Sequence, residues 1–189
     1  LTKTPHLYAI GPGENLRSEL LVWDGGVQES RVSDGEAQIA IISDARAVFL
    51  VYAYVPKWQS VVVPSSVKTS AQLLSWVKTA ADKAGLSSEH PFPFLLSGTV
   101  EQADYHIVDT PSDGTPFTRE KHDKHKWHAT LRDADVEMLG FYSEKHAGVF
   151  VHHSSPAHLH VRSKDGKVMG HLDGFIPGKR MILMLPAQG

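Results

Sequence analysis

The feature that most limits what this chain can fold into is its punctuation. Short β-type runs are closed by turn residues every six to ten positions: SELLVWD (18–24) ends in Gly25-Gly26, VQESRV (27–32) in Asp34-Gly35, and AQIAIIS (37–43) and AVFLVYAY (47–54) are separated by Asp44-Ala45-Arg46. β-branched and aromatic side chains suit a pleated, half-buried surface, and the Gly and Asp turns reverse the chain. The pattern predicts an antiparallel meander. A helical period stands out in one stretch, where Leu73, Leu74, Val77, Ala80, Ala81 and Ala84 form an apolar stripe. Thr69 followed by Gln72 fits a capping box and Gly85 supplies a stop, so a helix is expected over 69–84.

Further strands are expected at FLLSGTV (94–100) and ADYHIV (103–108), around a turn, and again at WHATLRD (127–133), VEMLGFYS (136–143), GVFVHH (148–153), AHLHVRS (157–163), KVMGHLDGF (167–175) and MILML (181–185). Between them, DTPSDGTPFTREKHDKH (109–125) is polar, proline-bearing and aperiodic, which reads as a long surface loop and a lobe boundary. The fold class is therefore α+β and β-rich, with one main helix and two lobes. Residues 1–108 would form an N-terminal β lobe with the helix, and residues 109–189 a C-terminal β lobe.

Composition removes several function classes. With 19 Lys+Arg against 21 Asp+Glu the net charge is −2, too balanced for a nucleic-acid binder. The 189 residues contain no cysteine, which excludes disulfides, thiolate catalysis and Cys-based metal sites. The longest apolar run, AVFLVYAYV (47–55), is strand-length, so no membrane partner is expected. The chain opens at Leu1 rather than Met, as a processed or trimmed form would, and leaves the compartment open between cytoplasm and export. Histidine, by contrast, is abundant at 12 residues.

The informative stretch is PAHLHVRSKDGKVMGHLDGF (156–175). His158 and His160 are two apart in a β-type run and leave one face of the strand. Asp165-Gly166 is a signal for a two-residue type I′ hairpin loop, in which paired residue numbers sum to 331. His160 then faces His171, and His158 faces Asp173. Cross-strand partners share a face, so three imidazoles gather on one surface. Three neutral imidazoles suit Zn²⁺ and leave a position for water or substrate, with Asp173 a partner for an imidazole N–H. The competing reading is a pair of surface histidines, with a bulge or an odd loop turning His171 away.

These residues also carry a resemblance. MLGFYSEKHAGVFVHHSSPAHLHVRSKDGKVMGHLDGF (138–175) resembles the C-terminal part of α-acetolactate decarboxylases, through Gly140-Phe141-Tyr142, His158-Leu159-His160 and Gly170-His171-Leu172-Asp173. SELLVWDGGVQESRVSDGEAQ (18–38) is similar to the family's early segment, FPFLLSGTV (92–100) to its G-T-F run, and MILMLP (181–186) to its terminal strand. The resemblance implies a two-part β-rich chain with zinc held by His158, His160 and His171. It also implies conversion of 2-acetolactate to acetoin and CO₂. A Lewis acid holding the carbonyl and hydroxyl oxygens would absorb the charge of the enediolate, and a nearby acid would protonate it. The family's early carboxylate falls on Glu19, as acid/base or to orient water; the plainer reading is a strand-surface glutamate.

Two departures bear on activity. Counting from Gly98-Thr99 places His106 where the family has an arginine, with Asp109 there in a shifted register, and neither supplies a bidentate guanidinium fork. His106 is then an acid, a further metal ligand, or simply a strand histidine. The family's glutamate beyond the last strand has no counterpart before Gly189.

His122, His125 and His128 interleave with Lys121, Lys124 and Lys126, which oppose a divalent cation, so a solvated loop is the better reading. Of His152 and His153 only one can face the site. The expected partner is a small keto or hydroxy acid, and a homodimer is the assembly to test. Two alternatives stand beside the decarboxylase: a non-catalytic or differently specific metal or small-ligand binder on the same fold, and a cupin-like metalloenzyme, which would want a glutamate shortly after the H-x-H.

Overall fold

The structure is a computed structural model and describes residues 3–87, 89–111, 114, 115, 118, 120, 124–151 and 155–188. Two Asp-Gly pairs set the first sheet. Asp24 (φ 49°) with Gly25 (φ 78°), and Asp34 (φ 54°) with Gly35 (φ 82°), adopt the left-handed conformation that a two-residue hairpin loop requires. They join β2 (Glu19–Trp23) to β3 (Gly26–Ser33), and β3 to β4 (Glu36–Ile42). With β1 (Leu7–Pro12) and β5 (Val51–Tyr54) these strands form an antiparallel sheet in the order β4-β3-β2-β1-β5.

The second sheet comprises β6 (Trp58–Val62), β7 (Phe92–Val108), β8 (Lys126–Tyr142), β9 (Ala157–Ser163), β10 (Met169–Pro177) and β11 (Ile182–Pro186), in the order β10-β9-β8-β7-β11-β6. β10 also pairs with β7, so β7, β8, β9 and β10 close on themselves. Helix α1 (Ser70–Lys83) begins where Thr69 Oγ1 accepts the Gln72 N–H at 3.2 Å, the first half of the expected capping box, while the Gln72 side chain reaches one residue further back and accepts the Lys68 N–H at 2.8 Å. This is the β-rich α+β architecture with one main helix. Among the described residues no helix is long and apolar enough to cross a membrane.

Six of the expected strands differ. FLLSGTV and ADYHIV are one 17-residue strand, β7, and WHATLRD and VEMLGFYS are likewise one strand, β8. The polar break at Glu101-Gln102 marks a change of neighbour rather than a turn: residues 95–97 of β7 pair with β11, and residues 100–106 with β10. AVFLVYAY is a strand only from Val51, because residues 46–48 are tied to the end of β1 by single contacts, such as Val48 N–H to the Pro12 carbonyl at 3.1 Å. In place of the expected strand GVFVHH, residues 147–151 form a turn closed by an isolated Ala147–Val151 bridge. His152 and His153 lie outside the described residues.

Each face of the second sheet has its own cover. Tyr8, Ile10 and Leu21 of the first sheet pack on Leu95, Leu139, Phe141 and Met169. Leu73, Val77 and Ala81 of α1 pack with Phe94, Leu96, Met138, Leu159 and Val161. In β9, Ala157, Leu159 and Val161 therefore face the helix side, and the intervening His158, His160 and Arg162 face the first sheet. Arg162 ties the layers together, with its guanidinium 4.1 Å from the Trp23 ring centroid and donating to Gln28 at 3.2 Å and Glu137 at 2.7 Å.

Candidate metal centre

The β9–β10 hairpin holds the expected register by a different turn. Ser163 N–H bonds to the Val168 carbonyl at 3.0 Å, which leaves a four-residue loop, Lys164–Lys167, in place of the two-residue type I′ turn. Only Gly166 has positive φ (73°), and the Asp165 carboxylate accepts from Ser163 Oγ at 2.6 Å and Lys167 N–H at 3.2 Å. A four-residue loop keeps the parity of a two-residue one, so Met169↔Arg162, Gly170↔Val161 and His171↔His160 still pair.

Beyond His171 the expectation fails. β10 leaves β9 and continues along β7, with a bulge between Leu172 and Gly174, so Asp173 does not lie opposite His158. The bulge turns Asp173 toward β7, where its Oδ1 lies 2.7 Å from His106 Nδ1. His171 is thus paired on one side with His160 and on the other with His106.

The rings of His158, His160 and His171 converge. Their centroids are 5.1 Å apart for 158–160, 4.8 Å for 158–171 and 5.5 Å for 160–171, and one nitrogen from each lies within 4.8 Å of the others. A neutral imidazole has one N–H donor and one acceptor nitrogen, and burying either unpaired costs about 1–3 kcal/mol. Both nitrogens of His158 and of His160 are buried without a hydrogen-bond partner, with the Phe150 and Leu20 carbonyls near the rings but outside bonding geometry. These donors fit a divalent ion of the zinc type, which takes up an acceptor nitrogen on each ring. Burial first, then the neighbouring imidazoles, hold His160 and His171 well below the usual histidine range, and burial lowers His158 to about 4. All three are neutral donors at pH 7, the form a metal requires.

Glu19 comes from the other sheet. It is 2% exposed, with Oε2 3.4 Å from His160 Nε2 and Oε1 accepting the Val108 N–H at 3.4 Å. Burial pushes its carboxyl up to about 8, against the Val108 N–H and the Lys126 charge, which favour ionisation. His106 is buried, and desolvation lowers it despite the Asp173 carboxylate. Its ring lies 4.6 Å from that of His171, and His106, His171 and Asp173 make a second group with metal-ligand spacing.

Of the loop histidines, His128 belongs to β8, pairs with His106, and has Nδ1 3.6 Å from Asp173 Oδ2, so the solvated-loop reading fails for it and for Lys126. His125 is exposed, and His122 lies outside the described residues. Sequence reasoning missed Phe49, whose ring is 6.3 Å from that of His158. An exposed apolar residue before a strand carried no signal of that contact.

Two antiparallel sheets with histidines and a carboxyl between them, and a helix on the outer face, define an acetolactate-decarboxylase-like fold. No family model matches the chain, and no curated protein matches it. Among solved structures, alpha-acetolactate decarboxylase from Bacillus subtilis strain 168 superposes with a TM-score of 0.74 at 16% identity, over 98% of this chain and 75% of that one. A protein of unknown function similar to alpha-acetolactate decarboxylase, from Staphylococcus aureus, gives 0.72 at 16% identity over 95% and 72%. At that identity the likeness establishes the fold. It spans both sheets, which leaves the cupin-like alternative without support.

Proposed function

We propose that the chain is a zinc-dependent decarboxylase acting on 2-acetolactate or a related small 2-hydroxy-3-keto acid, with acetoin and CO₂ as the products from acetolactate. The reading is carried by one observation: three converging imidazoles, two of them with unpartnered buried nitrogens, lie beside a buried carboxyl contributed by the opposite sheet. His158, His160 and His171 would hold the ion, which when bound supplies Lewis-acid stabilisation of the charge left by departing CO₂.

The chain's own residues do the rest. Glu19, a carboxyl that burial favours in its protonated form, delivers a proton to the carbon that has lost CO₂ and then recovers one from water. The first sheet excludes bulk water from Glu19 and His160 and so keeps that proton in place. With Asp173 accepting, the neutral His106 carries its proton on Nδ1, which leaves Nε2 to accept from a substrate hydroxyl.

The test is acetoin formation from racemic 2-acetolactate by zinc-loaded and chelator-treated protein. Acetoin from the loaded protein alone is the expected result. No acetoin from protein that binds one zinc per chain overturns the activity and favours the second reading, a metal-bearing small-acid binder, which His106 at the position of the expected arginine supports.

A further inference from the structure

The face that carries the three imidazoles continues past them. Cross-strand partners share a face of a sheet, as do residues two apart on one strand. His171 pairs with His106 across β10 and β7, and His106 with His128 and Val108 with Lys126 across β7 and β8. Lys126 therefore stands on the same face as His106, His128, His160 and His171. Accessibility rises along this row: His160 is fully buried, His106 nearly so, His171 and Lys126 are half-buried, and His128 is exposed. The row opens to solvent at the Lys126–His128 end.

Register also ties Lys126 to the reactive groups: its cross-strand partner Val108 gives its N–H to Glu19, and His106, two residues before Val108 on β7, pairs with His171. An ammonium at the mouth of a low-dielectric cleft attracts a small anion and does not require the fixed approach of a guanidinium fork.

Resting on the decarboxylase reading, we propose that Lys126 anchors the carboxylate of the substrate at the mouth of the cluster, and so selects small hydroxy or keto acids over their neutral counterparts. The carboxylate lies toward β8, and the oxygens at the other end of the molecule lie toward His158, His160 and His171.

Two probes test this by calorimetric titration of the zinc-loaded protein: 2-hydroxyisobutyrate, which has a carboxylate, and acetoin, which does not. Lys126→Met is expected to weaken 2-hydroxyisobutyrate about tenfold. It should leave acetoin and zinc content unchanged, while Lys126→Arg stays close to the parent protein. Equal binding of 2-hydroxyisobutyrate by parent and Lys126→Met, equal weakening of both probes, or no binding by the parent overturns the proposal. Lys126-dependent binding without acetoin production from acetolactate removes the decarboxylase reading and leaves the anchor standing. Turnover with an unchanged KM in Lys126→Met does the reverse.

Discussion

A carboxyl group and an imidazole 3.4 Å apart, both nearly sealed from solvent, form a pair whose protons are set by burial rather than by the buffer. Glu19 is the member whose burial favours the protonated form. Glu19→Gln preserves its shape and its acceptance of the Val108 N–H and removes only the acid. The variant should bind zinc in the parent ratio and lose acetoin turnover by about 100-fold or more, the usual worth of a placed general acid. Unchanged turnover would take Glu19 out of the mechanism. His160 lies between His158, His171 and Glu19 and is 0% exposed. His160→Ala removes one of three donors and should abolish zinc retention after dialysis, read by elemental analysis. Full retention in His158→Ala, His160→Ala and His171→Ala alike would refute the site.

At the scale of elements, His171 is placed by two neighbours, and Gly170 allows the second to come close. A Cβ at Gly170 would lie 2.7 Å from both the His106 carbonyl and the Tyr105 ring. Gly170→Ala should therefore push β10 off β7, cost about 1–3 kcal/mol in chemical denaturation, and weaken zinc binding as His171 moves from its partners. Parent-like zinc affinity at reduced stability would show that the cluster tolerates a displaced strand. The same elements explain what could be read in advance. The His160–His171 pairing was legible because register depends on loop parity, which survives an error in turn type. The Asp173 bulge was not, because it arises where β10 exchanges β9 for β7, a change of partner that local sequence does not record. Lys126 was hidden for a related reason: its charged surroundings read as loop, and His128, although inside the expected strand WHATLRD, was grouped with those loop residues. Glu19 could be named only through the resemblance, since its partner His160 is far away in sequence on the other sheet.

At the scale of the whole molecule, the gap between the sheets holds groups whose protonation changes on unfolding, so stability is linked to pH with a definite sign. In metal-free protein His158, His160, His171 and His106 are all held below the usual range, so below about 6.5 the unfolded chain takes up protons that the folded one refuses. Stability therefore falls as the pH drops from 6.5. Glu19 acts in the opposite sense. Its folded value of about 8 lies above the ordinary 4.5, so between these limits the folded state holds the extra proton and stability falls as pH rises. The imidazoles outweigh the single carboxyl up to about pH 7, and only above that, once the unfolded imidazoles have also lost their protons, does Glu19 prevail. Chelator-treated protein should therefore gain stability to urea up to about pH 7 and change by less than about 1 kcal/mol from there to pH 8. In Glu19→Gln the curve should go on rising toward pH 8, and the acid decline should remain. A parent curve that rises from pH 6.5 to 8 as the Glu19→Gln curve does would mean that Glu19 is already ionised between the sheets, and the proton assigned to it for the reaction would have to come from elsewhere.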